Sequence, residues 1–445
     1  MSARFPEVRS IAALAAPIVV TQVGSMMLGV VDMLMVSDLG RDALAAASLG
    51  NLWLFGTIVI SMGVVLGIDP VVTQTHGAGD GRATGLALQR GLVIAALASV
   101  PTVLLWLLTE PVLLLVGQSP TLARLAHDYV LVQVPSVFAF LGFTALRSYL
   151  QGRGITAPAM WITLIVNVLN VLFNWVLIHG HLGFPALGLV GAGIATGVTR
   201  TLMFVLLVLV VWRWRMHAGA WQPWSRAAFT AAGLLEILRL GVPVGLQLAL
   251  EVWAFQAATL FAGWLGNAEL AAHTIVLNLA SLSFMIPLGI SMATVTRVGN
   301  LLGAREHRAA QHAAWVALAM GAGVMGLSAI SFVLLRDVLP TFYADEDPAV
   351  LALAATILPI AGAFQLFDGT QVVGGGILRG MGRTRPAAVF NLVGYYALGL
   401  PLSWYLAFET GMGLPGIWWG LTLGLAVVSA LLLGWTAIRG PARMP

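Results

Sequence analysis

Twelve long apolar stretches follow one another along the chain, at about 11–36, 44–70, 86–108, 127–149, 158–179, 187–212, 236–263, 270–295, 312–335, 349–378, 386–408 and 413–437, with short polar or Gly/Pro-bearing connections between them. A helix needs about 20 apolar residues to cross the hydrocarbon core of a bilayer. No strand alternation of comparable length competes with these runs, and an open sheet cannot satisfy its backbone in lipid. The expected fold is an all-α integral membrane protein with twelve transmembrane helices. Composition agrees, because 9% of residues are charged where a soluble domain carries about 25%. There is no cysteine, so disulfides and thiolate metal sites are excluded. The first run follows basic residues, as in a signal peptide, but it is longer than the roughly 7–15 apolar residues of one and lacks a cleavage site. It reads as an uncleaved first span.

All 22 basic residues are arginine, a usage that points to a GC-rich bacterial genome. Basic residues are retained in cytoplasmic loops. With both termini inside, eighteen arginines fall on the cytoplasmic side, three (Arg41, Arg124 and Arg336) fall outside, and Arg200 lies within a span. The net charge of +4 is thus a topology signal, and no basic face for nucleic acid emerges. The outer loop Tyr343-Ala-Asp-Glu-Asp-Pro348 is acidic and reads as a solvated turn.

The chain also repeats itself. PIVVTQVGSMM from Pro17 aligns with PVGLQLALEVW from Pro243, and Leu150-Gln-Gly-Arg-Gly-Ile-Thr-Ala-Pro-Ala aligns with Leu378-Arg-Gly-Met-Gly-Arg-Thr-Arg-Pro-Ala. Six helices are therefore followed by six more, in two pseudo-symmetric bundles that enter the membrane from the same side. The expected division is an amino-terminal lobe, residues 1–212, a cytoplasmic connector, 213–235, and a carboxy-terminal lobe, 236–445. Trp212, Trp214, Trp221 and Trp224, at and within the connector, read as interfacial anchors.

Two lone carboxylates, Glu251 and Asp368, lie deep inside apolar spans. An acidic side chain at the centre of a membrane helix costs about 2.5–3.5 kcal/mol, so it usually faces a wet cavity or a cation. Gln365, Asp368 and Gln371 recur every three residues on one helix face, and Gln247 and Glu251, four apart, share another. Carboxylate and amide oxygens suit a hard cation such as Na⁺. A proton suits the same carboxylates, because loss of water favours the neutral acid. The competing reading is a hydrogen-bonded pair that locks two helices together. His76, His273 and His312 lack metal-ligand spacing, and Gly188-Leu-Val-Gly-Ala-Gly is helix packing rather than a dinucleotide loop. No nucleophile elbow or phosphate loop is present, so neither an enzyme nor ATP-driven export is supported.

QTHGAGD and NLLGARE after the second and eighth spans, LQGRGITAP and LRGMGRTRP after the fourth and tenth, and the segment NVLFNWVLIHG together resemble the multidrug and toxic compound extrusion (MATE) family, specifically its NorM-like branch. The resemblance covers essentially the whole chain. It implies two six-helix bundles that export amphipathic organic cations in exchange for Na⁺ or H⁺, and the expectation for the chain is a monomeric secondary antiporter of the bacterial inner membrane that uses no cofactor. It places the carboxy-terminal cation site at Glu251 and Asp368. It places a second acidic position at Asp32, accompanied by Asn170 and Asn174, all of which also admit interfacial or helix-gluing roles. Asp69 has no counterpart that can be carried over, and capping of helix two is its alternative. A lipid-linked oligosaccharide flippase of the same superfamily, a carrier of the other large six-plus-six fold and a channel are the rival readings. A flippase cavity for anionic lipids should be lined by arginines.

Overall fold

The computed structural model of the chain describes residues 4–343 and 347–444. Among the described residues, twelve helices are long and apolar enough to span a membrane: α1 Pro6–Ser37, α2 Arg41–Gly77, α3 Gly81–Leu107, α4 Pro120–Gly152, α5 Ala157–His179, α6 Gly188–Arg213, α7 Ala231–Leu265, α8 Asn267–Gly303, α9 His307–Leu334, α10 Pro348–Gly380, α11 Thr384–Glu409 and α12 Leu414–Arg443. The expected all-helical architecture is present.

Local chemistry sets the boundaries. Ser119 caps α4 by accepting from the Leu122 amide at 3.3 Å, with Pro120 in the first turn where its missing N–H costs nothing. Asp80 caps α3 through the Ala83 amide at 2.9 Å, and Asp347 caps α10 through the Ala349 amide at 3.0 Å. Asp347 belongs to the acidic outer loop, of which residues 344–346 lie outside the described residues. Gly180 ends α5 in the left-handed conformation, φ 77°. Within α2 a 3₁₀ turn over Leu66–Ile68 precedes Asp69 and Pro70. Pro70 lacks the N–H that would bond the preceding turn, and the helix tightens there before resuming. The QTHG segment is consequently helical, not a loop.

Two compact units form, Val20–Gly245 and Met1–Val19 with Leu246–Pro445. The divisions fall inside α1 and α7, each two residues after a helix proline, Pro17 and Pro243. In the first unit a core containing Ile68, Ile94, Trp106, Tyr129, Leu141 and Tyr149 holds α2 to α6 together. The first turns of α7 lie against α2 through glycines. A Cβ on Gly67 would come within 2.6 Å of the Ile237 carbonyl and 2.7 Å of the Gly241 Cα, a distance only bare backbone permits. In the second unit the first turns of α1 join α8, α9 and α10, burying Ile11, Ala15 and Ile18 against Ile290, Ala314 and Ile377. Arg297 grips Glu7 with two hydrogen bonds, 2.7 and 2.9 Å, in the forked geometry a guanidinium offers a carboxylate.

The connector after α6 is a run of turns and one 3₁₀ turn, Arg226–Phe229, fastened to the first unit. Tyr149 donates to the Ala220 carbonyl at 2.6 Å, Gln89 to the Gln222 carbonyl at 2.7 Å, and Arg82 to the Gln222 side chain at 3.0 Å.

Gly67→Leu should lower the thermal stability of the purified protein by about 1–3 kcal/mol through overpacking. Gly323→Leu, where a side chain would meet nothing within 4 Å, should leave it unchanged. Equal melting temperatures in a fluorescence-detected unfolding assay would contradict this account of the α2–α7 approach.

Candidate functional site

The second unit gathers Glu251 from α7, Gln371 from α10 and Asn391 from α11. Gln371 donates to Glu251 Oε2 at 3.1 Å, and Asn391 donates to the same oxygen at 3.5 Å and to the Gln247 carbonyl at 3.4 Å. Gln371 Nε2 also lies 3.5 Å from Asn391 Oδ1. Glu251 retains partial exposure, whereas Gln371 and Asn391 are fully buried. One turn from Gln371 on α10, Asp368 is buried as well, and the charge acting on it is that of Glu251. Among the described residues no donor is hydrogen-bonded to its carboxylate. Gln365 turns away and donates to Ser283 Oγ on α8. The expected stripe therefore splits: Gln371 and Asp368 stand with Glu251, while Gln365 joins α10 to α8. Gln247 contributes its backbone carbonyl, and its amide lies against Gly375.

The first unit holds a second cluster. Asp32 Oδ1 accepts from Asn174 at 2.6 Å and Oδ2 from Thr196 at 2.6 Å. Asn174 also donates to Asn170 Oδ1 at 3.2 Å, and Asn170 donates to Thr199 at 3.2 Å. Asp32 is buried, and its two carboxylate oxygens are engaged by side chains of α5 and α6. Arg200 stands over the Phe140 ring at 5.4 Å, donates to Gln133 at 3.1 Å, and its charge acts on Asp32.

Of the four acids Asp32, Asp69, Glu251 and Asp368, three have an arginine in their field. Asp32 feels Arg200, Glu251 feels Arg379, and Asp69 acts on Arg147, which also donates to Gln22 at 2.9 Å. Asp69 is therefore not a cap at the end of α2. It sits inside that span, in the turn after the 3₁₀ break, facing a cation. Asp368 is the exception: among the described residues, no arginine is coupled to it. With both acids ionised, Glu251, Asp368 and Arg379 leave the carboxy-terminal cluster one formal negative charge in excess, whereas Asp32 and Arg200 balance.

Sequence reasoning missed Asn391, Tyr395, Thr196 and the inward role of Arg379. Tyr395, one turn beyond Asn391, is fully buried, electrostatically coupled to Glu251 and Asp368, and its hydroxyl bonds no described residue. The signal available was the pair Asn391 and Tyr395, four apart inside an apolar run.

The MatE family model matches residues 17–176 and 243–405, beginning on the two prolines that open the internal repeat. A probable multidrug resistance protein NorM from Mesorhizobium japonicum is 37% identical over 96% of this chain and 93% of its own length. Multidrug and toxin extrusion protein 1 of Xenopus tropicalis is 36% identical over 94% of this chain and 72% of its own. A crystal structure of a eukaryotic MATE transporter superposes with a TM-score of 0.92 at 24% identity, covering 99% of this chain and 97% of that one. By name these relatives are transport or resistance proteins rather than enzymes.

Asn174→Leu removes one of the two direct donors to Asp32. Because a hydrogen bond to a charged group contributes about 1.5–3 kcal/mol, the melting temperature should fall by several degrees, with a smaller fall for Asn170→Leu. An unchanged melting curve for Asn174→Leu would show that the Asp32 cluster is not held as described.

Proposed function

Because the chain belongs to the MatE family, we propose that it is a secondary-active multidrug efflux antiporter, exporting amphipathic organic cations in exchange for Na⁺ or H⁺ bound at Glu251 and Asp368. The observation that carries this reading is the missing counter-charge of Asp368. Each other acid of the two clusters has an arginine in its field, whereas Asp368 has another acid. Two carboxylates in one low-dielectric cluster repel each other unless a positive charge or a proton joins them. A monovalent cation fits that deficit, with the oxygens of Glu251, Asp368, Gln371 and Asn391 as its ligand set.

In the proposed cycle the outward-facing protein takes up the inorganic cation, neutralisation of the carboxylates favours release of the organic cation, and the loaded form reorients inward. Substrate and coupling ion must favour different states, because a ligand indifferent to both shifts nothing. Asp32, with Asn170 and Asn174, assists from the first unit as a proton-accepting group. The arginine asymmetry of the loops supports a bacterial inner-membrane location with both termini cytoplasmic, and the protein acts as a monomer. The flippase reading is disfavoured by the same charge pattern. Arg147, Arg200 and Arg379 each have an acid in their field and are not free to line a cavity for an anionic lipid.

Proteoliposomes loaded with a fluorescent organic cation provide the test, with sodium and proton gradients imposed separately. Wild-type protein should drive counterflow with one of the gradients, whereas Asp368→Asn and Glu251→Gln should fall to the rate of protein-free vesicles while inserting normally. Wild-type rates from both variants would refute the assignment.

A further inference from the structure

The first unit contains a cavity of about 140 Å³ unrelated to either carboxylate cluster. Its walls include Leu92 of α3, Leu146 of α4, Phe204 and Val208 of α6, and His217 and Trp221 of the connector. These are the ends of α3, α4 and α6 that meet the connector, the level at which tryptophans mark the boundary between hydrocarbon and water. An apolar cavity of roughly 150 Å³ stays dry and accepts a benzene-sized solute. This one therefore accommodates a short length of hydrocarbon, about six carbons.

The connector wall is built in advance. Trp221 stands between Ala220, whose carbonyl is held by Tyr149 at 2.6 Å, and Gln222, whose carbonyl is held by Gln89 at 2.7 Å. Its ring meets Trp212 edge-on with centroids 5.4 Å apart, and Trp212 in turn packs on His217 at 4.4 Å. The charge carried by the connector has one sign. Arg213 directly follows the lining residue Trp212, Arg215 comes two residues later and Arg226 follows Trp224 by two. All three are exposed, none forms an ion pair among the described residues, and residues 213–235 include no Asp or Glu.

We propose that this pocket is a binding site for an anionic phospholipid of the adjoining leaflet, with part of one acyl chain in the cavity between α3, α4, α6 and Trp221, and the phosphate-bearing headgroup against Arg213, Arg215 and Arg226. An apolar slot at the boundary of the hydrocarbon, walled by a connector whose only Arg, Asp or Glu residues over 213–235 are Arg213, Arg215 and Arg226, matches the two ends of such a molecule. Juxtamembrane arginines attract acidic lipids by about 1 kcal/mol each, so three of them favour an anionic over a zwitterionic headgroup by about a hundredfold at low salt. The bound lipid would fasten the connector to the bundle from its membrane side, complementing the hydrogen bonds of Tyr149, Gln89 and Arg82.

The test is native mass spectrometry of the full-length, delipidated protein titrated with phosphatidylglycerol or phosphatidylcholine. Wild-type protein should retain one phosphatidylglycerol at a concentration at least tenfold below that needed for phosphatidylcholine, and the preference should shrink as salt rises. Val208→Trp, which fills the cavity, should abolish retention of that single lipid. The exposed triple variant Arg213→Gln/Arg215→Gln/Arg226→Gln should equalise the two lipids, and it decides the matter alone if Val208→Trp does not fold. Equal retention of the two lipids by wild-type protein, wild-type selectivity in the triple variant, or equal retention of glycerol phosphate lacking acyl chains would each overturn the proposal.

Discussion

A carboxylate in hydrocarbon must find partners on other helices, because its own helix has already committed every backbone donor. Much of the organisation of this protein follows from that constraint. Asp32 on α1 takes its two short hydrogen bonds from α5 and α6, and Glu251 on α7 takes its donors from α10 and α11. Each acid thus ties its own helix to two consecutive helices more than a hundred residues further along the chain. Apolar packing alone would not select these neighbours, since side chains facing lipid and side chains facing another helix are about equally content. Backbone proximity comes from glycine, as at Gly67 and Gly241, and specificity comes from the polar groups.

The geometry of α11 follows the same logic. Over Leu392–Gly399 and again over Tyr405–Glu409 the helix widens to the π form, which is rare and concentrates at functional sites. The first wide stretch begins on the residue after Asn391 and contains Tyr395. Inserting a wider turn changes which residues share a face, and here it accompanies two polar side chains inside an otherwise apolar span. Close contact with α12 holds this winding in place. Ser403 donates to the Ile417 carbonyl at 2.9 Å, and the glycines Gly394 and Gly424 allow the backbones to approach.

The span positions were legible because hydropathy over about 20 residues reports a solvent boundary directly. Asp32, Glu251 and Asp368 were legible because one acid in such a window is costly enough to need a reason. Asn391 and Tyr395 were not, since neither carries that cost, and their importance depends on which face a π-wound helix presents. Arg379 was assigned to a loop by its nearness to a span end, yet it is buried and its charge reaches Glu251. A long side chain leaves its Cα position behind. Gln365 failed for the converse reason: periodicity put it on the face of Asp368, but a neighbouring serine on α8 draws its amide away. The course of the connector depended on Tyr149, Gln89 and Arg82, partners that no local pattern announces.

The repeat explains the architecture without explaining the chemistry, and the mismatch is informative. In the alignment that pairs Pro17 with Pro243, Glu251 stands opposite Ser25 and Asp32 opposite Ala258; in the alignment that pairs Leu150 with Leu378, Asp368 stands opposite Phe140. Helices satisfy their own backbones, so each half could change its interior side chains without losing its fold. The first unit reached a balanced set, Asp32 with Arg200. The second reached an unbalanced one, in which Arg379 acts on Glu251 and Asp368 has no arginine. Ligand-driven alternation requires that a bound charge matter more in one state than in another. A balanced cluster gains little from an added cation, whereas the cluster around Asp368 is relieved of like-charge repulsion by it. Under the proposed reading, the duplicated scaffold supplies two similar bodies, and the unpaired acid supplies the asymmetry on which exchange depends.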